Sequence, residues 1–235
     1  MRKLFIFILI GAGLSACSFG FYKKTHFALY EIENNNNQTK GLLDSIIYPY
    51  KTTIDKEMDI VIGNAKVDFV KNRPNGNLNN LIADIIFSTK KHFQLTNENV
   101  ICVQNFGGIR SSINKGDITI GTIYSVLPFE NFVFAVKLPK ESISDLIQWY
   151  KKSNGHPIAG AKIVGDELIM NNRKVLEDDF WVITNDYLFF GGDNALFFNK
   201  KFEVRESTLL LREVVIDYIK NNPVLLDDNK ERLKF

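Results

Sequence analysis

The sequence predicts an α+β (mixed α/β) fold built as a single domain. Short apolar runs with the composition of strands interleave with segments that repeat apolar residues at helical spacing. These elements do not follow the strict alternation of strand and helix that a purely parallel α/β fold requires. The 235 residues suffice for one sizeable core, and no internal repeat or second domain is evident.

The first sixteen residues have the pattern of a targeting signal. Arg2 and Lys3 precede an apolar stretch, 4–13, that is too short to span a bilayer as a helix. Small residues then lead to Cys17, which is typical of a bacterial lipoprotein signal whose cysteine is acylated after cleavage. An ordinary signal peptide with an incidental cysteine is the alternative. We therefore expect export, a lipid anchor on Cys17, and a location at the periplasmic face of the outer membrane.

Charge and composition set the remaining limits. Loss of residues 1–16 removes two positive charges and no negative ones, so the formal charge of +2 becomes 0. There is thus no basic excess to indicate a nucleic-acid polymer as partner. We expect residues 17–54 to be a lipidated N-terminus and spacer, 55–222 to be the folded domain and 223–235 to be a C-terminal tail.

Apolar periodicity predicts the elements of this domain in order. Leu78, Leu81, Ile82, Ile85 and Ile86 recur at helical spacing, and a comparable pattern marks the other long helices. The predicted helices are 77–91, 121–127, 140–150 and one from about residue 211 that stops before Pro223. Residues 59–70 are predicted to form a strand or a hairpin, and the other predicted strands are 100–103, 132–138, 161–164, 167–170 and 180–184.

Cysteine and histidine offer no metal site. Cys102 lies in an apolar strand-like run and is expected to be a buried small hydrophobe. No CxxC or Cys/His cluster exists for zinc. His26, His92 and His156 are far apart in the sequence, and we expect the last two to be solvated. We therefore predict no metal or other cofactor in this chain.

Three loops carry residues suited to a polar ligand with an aromatic wall. In the first, an asparagine, two glycines and an arginine follow a buried strand, so that backbone and guanidinium can approach a ligand. The second offers an aromatic and an amide, and the third a carboxylate behind a glycine pair. Each loop alone could be a structural turn, but their combination favours a binding site. The candidate residues are Asn105, Gly107, Gly108, Arg110, Phe129, Asn131 and Asp193.

These loops and two further segments resemble the C-terminal domain of the 5′-nucleotidase family, which includes bacterial UDP-sugar hydrolases and animal ecto-5′-nucleotidases. The resemblance runs from about residue 55 to 221, with five blocks in the family's order. Phe106 and Glu130 stand where the family commonly has glycine. The blocks are Leu78-Asn79-Asn80-Leu81-Ile82-Ala83-Asp84, Asn105 to Arg110, Gly116-Asp117-Ile118-Thr119, Leu127 to Asn131, and Thr184-Asn185-Asp186-Tyr187-Leu188 leading to Gly191-Gly192-Asp193.

The resemblance implies a nucleoside site. A base would stack between Phe129 and Tyr187, at roughly 1–3 kcal/mol for each ring by analogy with other base–aromatic stacks. Asp193 would accept hydrogen bonds from the ribose hydroxyls. Asn105 and Asn131 would lie near base and phosphate, with Arg110 near ribose and phosphate. Arg73 is a further candidate for the phosphate, although it is not cleanly in register with the family's upstream arginines, and Asp84 is expected to be structural.

The same resemblance implies that the chemistry lies elsewhere. The family hydrolyses phosphate esters with two divalent metals in an N-terminal metallophosphoesterase domain, which the sequence does not contain. The first hypothesis is half of a split 5′-nucleotidase in nucleotide catabolism, with the metals in a separate metallophosphoesterase chain. The second is a stand-alone nucleoside- or nucleotide-binding lipoprotein without catalysis. The third is an interaction domain that has lost its ligand.

Overall fold

The computed structural model describes residues 41–170, 173–174, 178–228 and 230–235. The predicted signal, Cys17 and the predicted spacer up to residue 40 lie outside the described residues. The chain divides into two units, Met1–Ser45 and Ile46–Phe235. The described part of the first is the beginning of a helix, where the Gly41 N–H donates to the Asp44 carboxylate at 3.0 Å.

Six α-helices are present in the described part of the chain. Four short 3-10 helices accompany them, at Ser88–Lys91, Phe106–Gly108, Gly192–Asn194 and Leu196–Lys200. No helix among the described residues is long and apolar enough to cross a membrane. The α-helices are α1 (Leu42–Met58), α2 (Asn77–Phe87), α3 (Ile120–Val126), α4 (Ser142–Lys152), α5 (Asp186–Phe189) and α6 (Leu211–Asn221).

The described strands form three sheets. Their orders are β11-β1-β3, β10-β4-β9-β2-β5 and β12-β6-β7-β8. The strands are β1 (Val61–Ala65), β2 (Val100–Val103), β3 (Gly116–Thr119), β4 (Val133–Leu138), β5 (Ile158–Ala159), β6 (Ala161–Val164), β7 (Glu167–Met170), β8 (Arg173–Lys174), β9 (Phe180–Asn185), β10 (Glu203–Arg205), β11 (Val224–Leu225) and β12 (Leu233–Lys234).

The five-stranded sheet lies between two parts of the core. All six residues of β9 and all four of β2 are buried. Side chains alternate between the two faces of a strand, so Trp181 and Ile183 join one cluster while Phe180 and Val182 join the other. Helices α2 and α6 cover the first face and α4 covers the second. Burial on both faces explains why these strands are continuous apolar runs in the sequence.

The mixed α+β prediction is confirmed, with differences at the element ends. The predicted helix 77–91 is α2 followed by the 3-10 turn, and the predicted strand 59–70 retains only β1 as regular strand. Cys102 is buried, as predicted. In the segment predicted as a tail, β11 pairs with β1 and β12 pairs with β6, so this segment contributes to two sheets.

Asp84 has a structural role, as the sequence indicated. Its carboxylate accepts from both terminal nitrogens of Arg232, at 2.8 and 2.6 Å. The same guanidinium also bonds Asp228 at 2.7 Å and the Ile158 carbonyl at 2.8 Å. Arg232 is mostly buried, and the paired carboxylates offset the cost of burying its charge. This ion pair attaches the C-terminal segment to α2.

Candidate functional site

The topology of the central sheet brings the three candidate loops to one edge. Strands β2 and β9 are parallel neighbours, so their carboxyl ends lie side by side. Strand β4 runs antiparallel to β9, and its first residue, Val133, pairs with Asn185 at the end of β9. The loop after β2, the loop before β4 and the loop after β9 therefore meet at the edge where ligands commonly bind in sheets of this kind.

Asn185 fastens the first loop to the third. This buried side chain donates from Nδ2 to Gln104 Oε1 at 3.0 Å and to Asn105 Oδ1 at 2.9 Å. Its own Oδ1 accepts from the Leu188 N–H at 2.9 Å, which caps α5. A buried amide with all these bonds made fixes the loop positions. This arrangement favours glycine at position 108, because a Cβ there would come within 2.7 Å of Asn105 Oδ1.

Asp186 joins the second loop to the third. Its Oδ1 accepts from Asn131 Nδ2 at 2.7 Å and from the Tyr187 backbone N–H at 2.8 Å. The Asp186 N–H in turn donates to the Phe132 carbonyl at 3.0 Å. Asn131 was predicted from the sequence as a ligand residue, and the structure shows that its amide nitrogen is directed to Asp186. Asp186 belongs to the family block that begins at Thr184, but the sequence analysis did not predict a role for it.

Tyr187 and Asp193 form a pair. The tyrosine hydroxyl donates to Asp193 Oδ1 at 2.9 Å, and this hydrogen bond raises the pKa of Tyr187. Gly192 lies under the ring, since a Cβ there would come within 2.5 Å of ring atoms. Asp193 has a left-handed backbone with φ of 51°, and Trp149 Nε1 donates to its carbonyl at 2.8 Å. These contacts hold an exposed carboxylate beside an aromatic ring.

Phe129 supplies the second aromatic surface. Its side chain is 50% exposed and that of Tyr187 is 43% exposed, so both rings present faces to solvent while being partly packed. Phe129 lines a small cleft at the sheet edge together with apolar and amide side chains. The lining residues are Ile82, Gln104, Asn105, Gly108, Ile109, Leu127, Phe129, Asn131, Asn185 and Leu211.

Three cations gather next to this cleft. Lys71 Nζ and Arg73 Cζ lie 4.7 and 4.3 Å from the Phe106 ring centre, within cation–π range. Arg110 Cζ lies 6.0 Å from the Phe129 ring centre. Burial, and then the charges of Arg110 and Arg73, lower the pKa of Lys71. The mutual repulsion indicates a place where an anion would be stabilised. Sequence reasoning found Arg73 and Arg110 and missed Lys71.

The first loop rests on His156. The Phe106 N–H donates to His156 Nδ1 at 3.1 Å, and the imidazole stacks on Trp149 with centroids 3.9 Å apart. The expectation that His156 is solvated is wrong, because the residue is only 2% exposed. Burial, with the nearby charge of Arg73, lowers its pKa from 6.5 to about 3, so it is a neutral acceptor. His92 is exposed, as expected.

Gly107 and Arg110 complete the first loop. Gly107 is exposed, and its carbonyl accepts from Arg110 NH1 at 3.4 Å, a long bond that leaves the guanidinium at the surface. Among the residues that the structure describes, no three His, Cys, Asp or Glu side chains are grouped so that they could hold a metal ion. The site therefore offers aromatic faces, amides, the exposed carboxylate of Asp193 and cations.

Comparison with known proteins identifies the domain to which much of this chain is similar. Residues 61–171 match the family model described as "5′-nucleotidase, C-terminal domain". The predicted resemblance to the C-terminal domain of 5′-nucleotidases is confirmed over these residues.

Three similar proteins illustrate the relation. The chain is 25% identical to the NAD 5′-nucleotidase of Haemophilus influenzae over 82% of its own length, and 27% identical to the trifunctional nucleotide phosphoesterase protein YfkN of Bacillus subtilis over 53%. It superposes on a 5′-nucleotidase precursor from Thermus thermophilus with a TM-score of 0.69, at 25% identity and over 81% of the chain. The chain spans 38% and 10% of the two curated relatives and 42% of the Thermus chain.

Proposed function

We propose that this chain is the nucleotide- or nucleoside-binding part of a split 5′-nucleotidase. A separate metallophosphoesterase chain would hydrolyse the phosphate ester of the bound nucleotide. The observation that carries the proposal is the hydrogen-bonded pair of Tyr187 and Asp193 at the sheet edge that also presents Phe129. A half-exposed ring beside a fixed carboxylate, with a second ring on a neighbouring loop, suits a ligand with both a flat aromatic part and hydroxyl groups.

Each part of a nucleotide has a matching group in the proposal. The faces of Phe129 and Tyr187 would take the base, because base–aromatic stacking tolerates any base. Asp193 Oδ1 accepts from the Tyr187 hydroxyl, and an ionised carboxylate can accept several hydrogen bonds, so a vicinal diol could still bind it. Lys71 and Arg73 beside Phe106, together with the exposed Arg110, would take the phosphate.

The hydrolytic chemistry is assigned to the partner. The chain spans well under half of the length of its nucleotidase relatives, and its described residues contain no cluster of potential metal ligands. Two divalent metals in the partner would activate a water and stabilise the leaving oxygen. This chain would bind and orient the nucleotide for that reaction. The proposal thus makes the chain inactive alone and necessary for substrate recognition.

One observation favours a second candidate function, a stand-alone nucleoside-binding lipoprotein without catalysis. Arg73 NH1 donates to the Ser153 carbonyl at 2.6 Å and Lys71 Nζ donates to the Ile109 carbonyl at 2.5 Å. Side-chain donors that already bond backbone carbonyls contribute less free energy to the binding of a phosphate. A ligand without phosphate would leave these bonds in place.

We also propose that the chain is an exported lipoprotein held by a lipid on Cys17 at the periplasmic face of the outer membrane. The supporting observation is the N-terminal pattern of two basic residues, a short apolar stretch and small residues before the cysteine. Incorporation of labelled fatty acid by the native chain, and its loss in Cys17→Ser, would test the anchor.

Calorimetric titration of the purified chain with AMP and with adenosine tests the proposed function. Binding of AMP at least about tenfold tighter than adenosine is expected for the split enzyme, since one charge-assisted contact to phosphate is sufficient for that ratio. Equal affinities would favour the stand-alone binder. No heat with either ligand, or with other nucleosides and UDP-glucose, would contradict both.

A further inference from the structure

Helix α1 exposes an apolar stripe. Ile46, Ile47, Tyr50 and Ile54 recur at the spacing that places them on one side of a helix. Their exposed fractions lie between 54% and 71%, so the stripe faces solvent. The other side is mainly polar: Lys51 pairs there with Asp55 at 2.7 Å, and Tyr48 is an exposed aromatic among the polar residues. An amphipathic helix normally buries its apolar side, so this stripe indicates a surface that something else covers.

The end of α1 is fixed to the folded domain. A Cβ on Gly121 would come within 3.1 Å of the Met58 carbonyl oxygen and 3.2 Å of Met58 Cβ, which shows how closely α1 meets the beginning of α3. Just beyond the helix, the Ile120 N–H donates to the Ile60 carbonyl at 3.0 Å. The stripe therefore has a defined attachment to the domain that carries the candidate site.

A membrane surface and a second copy are both poor occupants of this stripe. Helices that lie on membranes are rich in Lys and Arg, whereas α1 holds two lysines against two aspartates and one glutamate. A dimer through the stripe alone is also disfavoured, because four half-exposed side chains cannot supply the roughly 800 Å² per partner of a stable interface.

We infer that the stripe of α1 is the docking surface for the metallophosphoesterase chain, an inference that rests on the proposed function. The matched domain is by its description the C-terminal one, so the additional length of the relatives precedes it. In this chain α1 is the element directly before the matched region, which begins at Val61. A partner that replaces the preceding portion meets α1 first. The partner must also reach the bound nucleotide. Its interface with this chain would therefore bury more surface area than a second copy of the chain in contact only with the stripe.

Photo-crosslinking in the native host tests this inference. A benzoylphenylalanine at Tyr50 lies within the stripe, and the same residue at the partly buried Thr52, on the opposite side of the helix, is the control. We expect the Tyr50 position to crosslink a polypeptide with a metallophosphoesterase sequence and the Thr52 position not to do so. Crosslinks to another copy of this chain, crosslinks only to lipid, or no crosslink at all would each overturn the inference.

A pair of variants separates docking from substrate binding. Ile47→Glu should lower the AMP-hydrolysing activity that co-purifies with the chain at least about tenfold, because an unpaired carboxylate is costly in an apolar interface. Thr52→Glu should retain that activity, and both variants should bind AMP as the native chain does. Equal activity with both variants would overturn the docking surface and leave the proposed function intact. Absence of AMP binding in the native chain would instead remove the proposed function itself.

Discussion

Asp193 has a strained backbone conformation in the candidate site. It is not a glycine, yet its backbone has φ of 51° in the left-handed region, which costs free energy for an ordinary L-residue. Two hydrogen bonds hold it there, from Trp149 Nε1 to its carbonyl and from the Tyr187 hydroxyl to its carboxylate. Strain held by neighbouring contacts is a common feature of binding sites, and here it keeps the carboxylate beside the ring.

Removal of either ring should weaken nucleoside binding without unfolding the domain. Phe129→Ala and Tyr187→Ala should each cost roughly 1–3 kcal/mol of binding free energy, about 5- to 150-fold in affinity. Because both side chains are about half exposed, the thermal transition should remain cooperative. Calorimetric titration with adenosine measures the affinity, and Phe202→Ala, at another half-exposed ring, is the control. Loss of the cooperative transition would instead assign that ring to the core.

Replacement of the carboxylate should affect ribose recognition selectively. Asn tolerates the left-handed backbone at position 193, so Asp193→Asn isolates the loss of charge from backbone strain. Adenosine should bind about tenfold more weakly, because bonds to an ionised acceptor are stronger than bonds to an amide. The affinity for 2′,3′-dideoxyadenosine should be nearly unchanged. Equal losses for the two ligands would remove the ribose role of Asp193.

The residues that sequence reasoning identified are those whose signal is local. Phe129, Tyr187 and Asp193 stand in short motifs whose order could be compared with a family. Lys71 and His156 were missed as site residues because their contacts join loops distant in sequence. Phe106, for example, meets His156 across 50 positions. No spacing or periodicity in the chain reports such a contact.

At the scale of elements, the site depends on where β2 and β9 end and where β4 begins. The order of these strands was not predictable from apolar runs, since periodicity shows that a strand is buried but not which strand is its neighbour. The helices were predicted more closely: the predicted helix 140–150 corresponds to α4, Ser142–Lys152. The predicted strand 59–70 shortened to β1 because its later residues form a loop, with only Phe69 bridging to Ile113.

The support of the first loop by His156 predicts an acid-sensitive stability. The folded-state pKa is about 3 and the ordinary value is 6.5, so the unfolded chain binds a proton that the folded chain does not. This contribution to stability is fully present above pH 6.5 and is lost as the pH falls toward 3. Between pH 6.5 and 4.5 the free energy of unfolding should fall by up to about 1.4 kcal/mol per pH unit.

Denaturant unfolding at several pH values measures this slope. His156→Asn keeps a hydrogen-bond acceptor for the Phe106 N–H but does not titrate, so its stability should vary less over the same window. A lowered pKa of Asp228 also makes stability acid-sensitive, but below about its ordinary value of 3.8, outside this window. Identical slopes in the native chain and the variant would contradict the role given to His156.

At the scale of the whole molecule, recognition and chemistry are proposed to lie on different chains. The ligand groups of the candidate site are rings, amides, a carboxylate and cations, and none of them needs a metal to bind a nucleotide. The affinity for AMP should therefore be the same within about twofold before and after treatment with a chelator. Calorimetric titration of both samples tests this expectation, and loss of binding on chelation would place a metal in this chain's own site.

The most direct test of the account is to locate a bound base relative to the two rings. With selectively labelled phenylalanine and tyrosine rings, intermolecular nuclear Overhauser effects can be measured from the adenine protons of AMP. We expect contacts from the adenine to both Phe129 and Tyr187, lost at the respective ring in each alanine variant. Saturable AMP binding with adenine contacts to neither ring would contradict the assignment of this sheet edge as the nucleoside site.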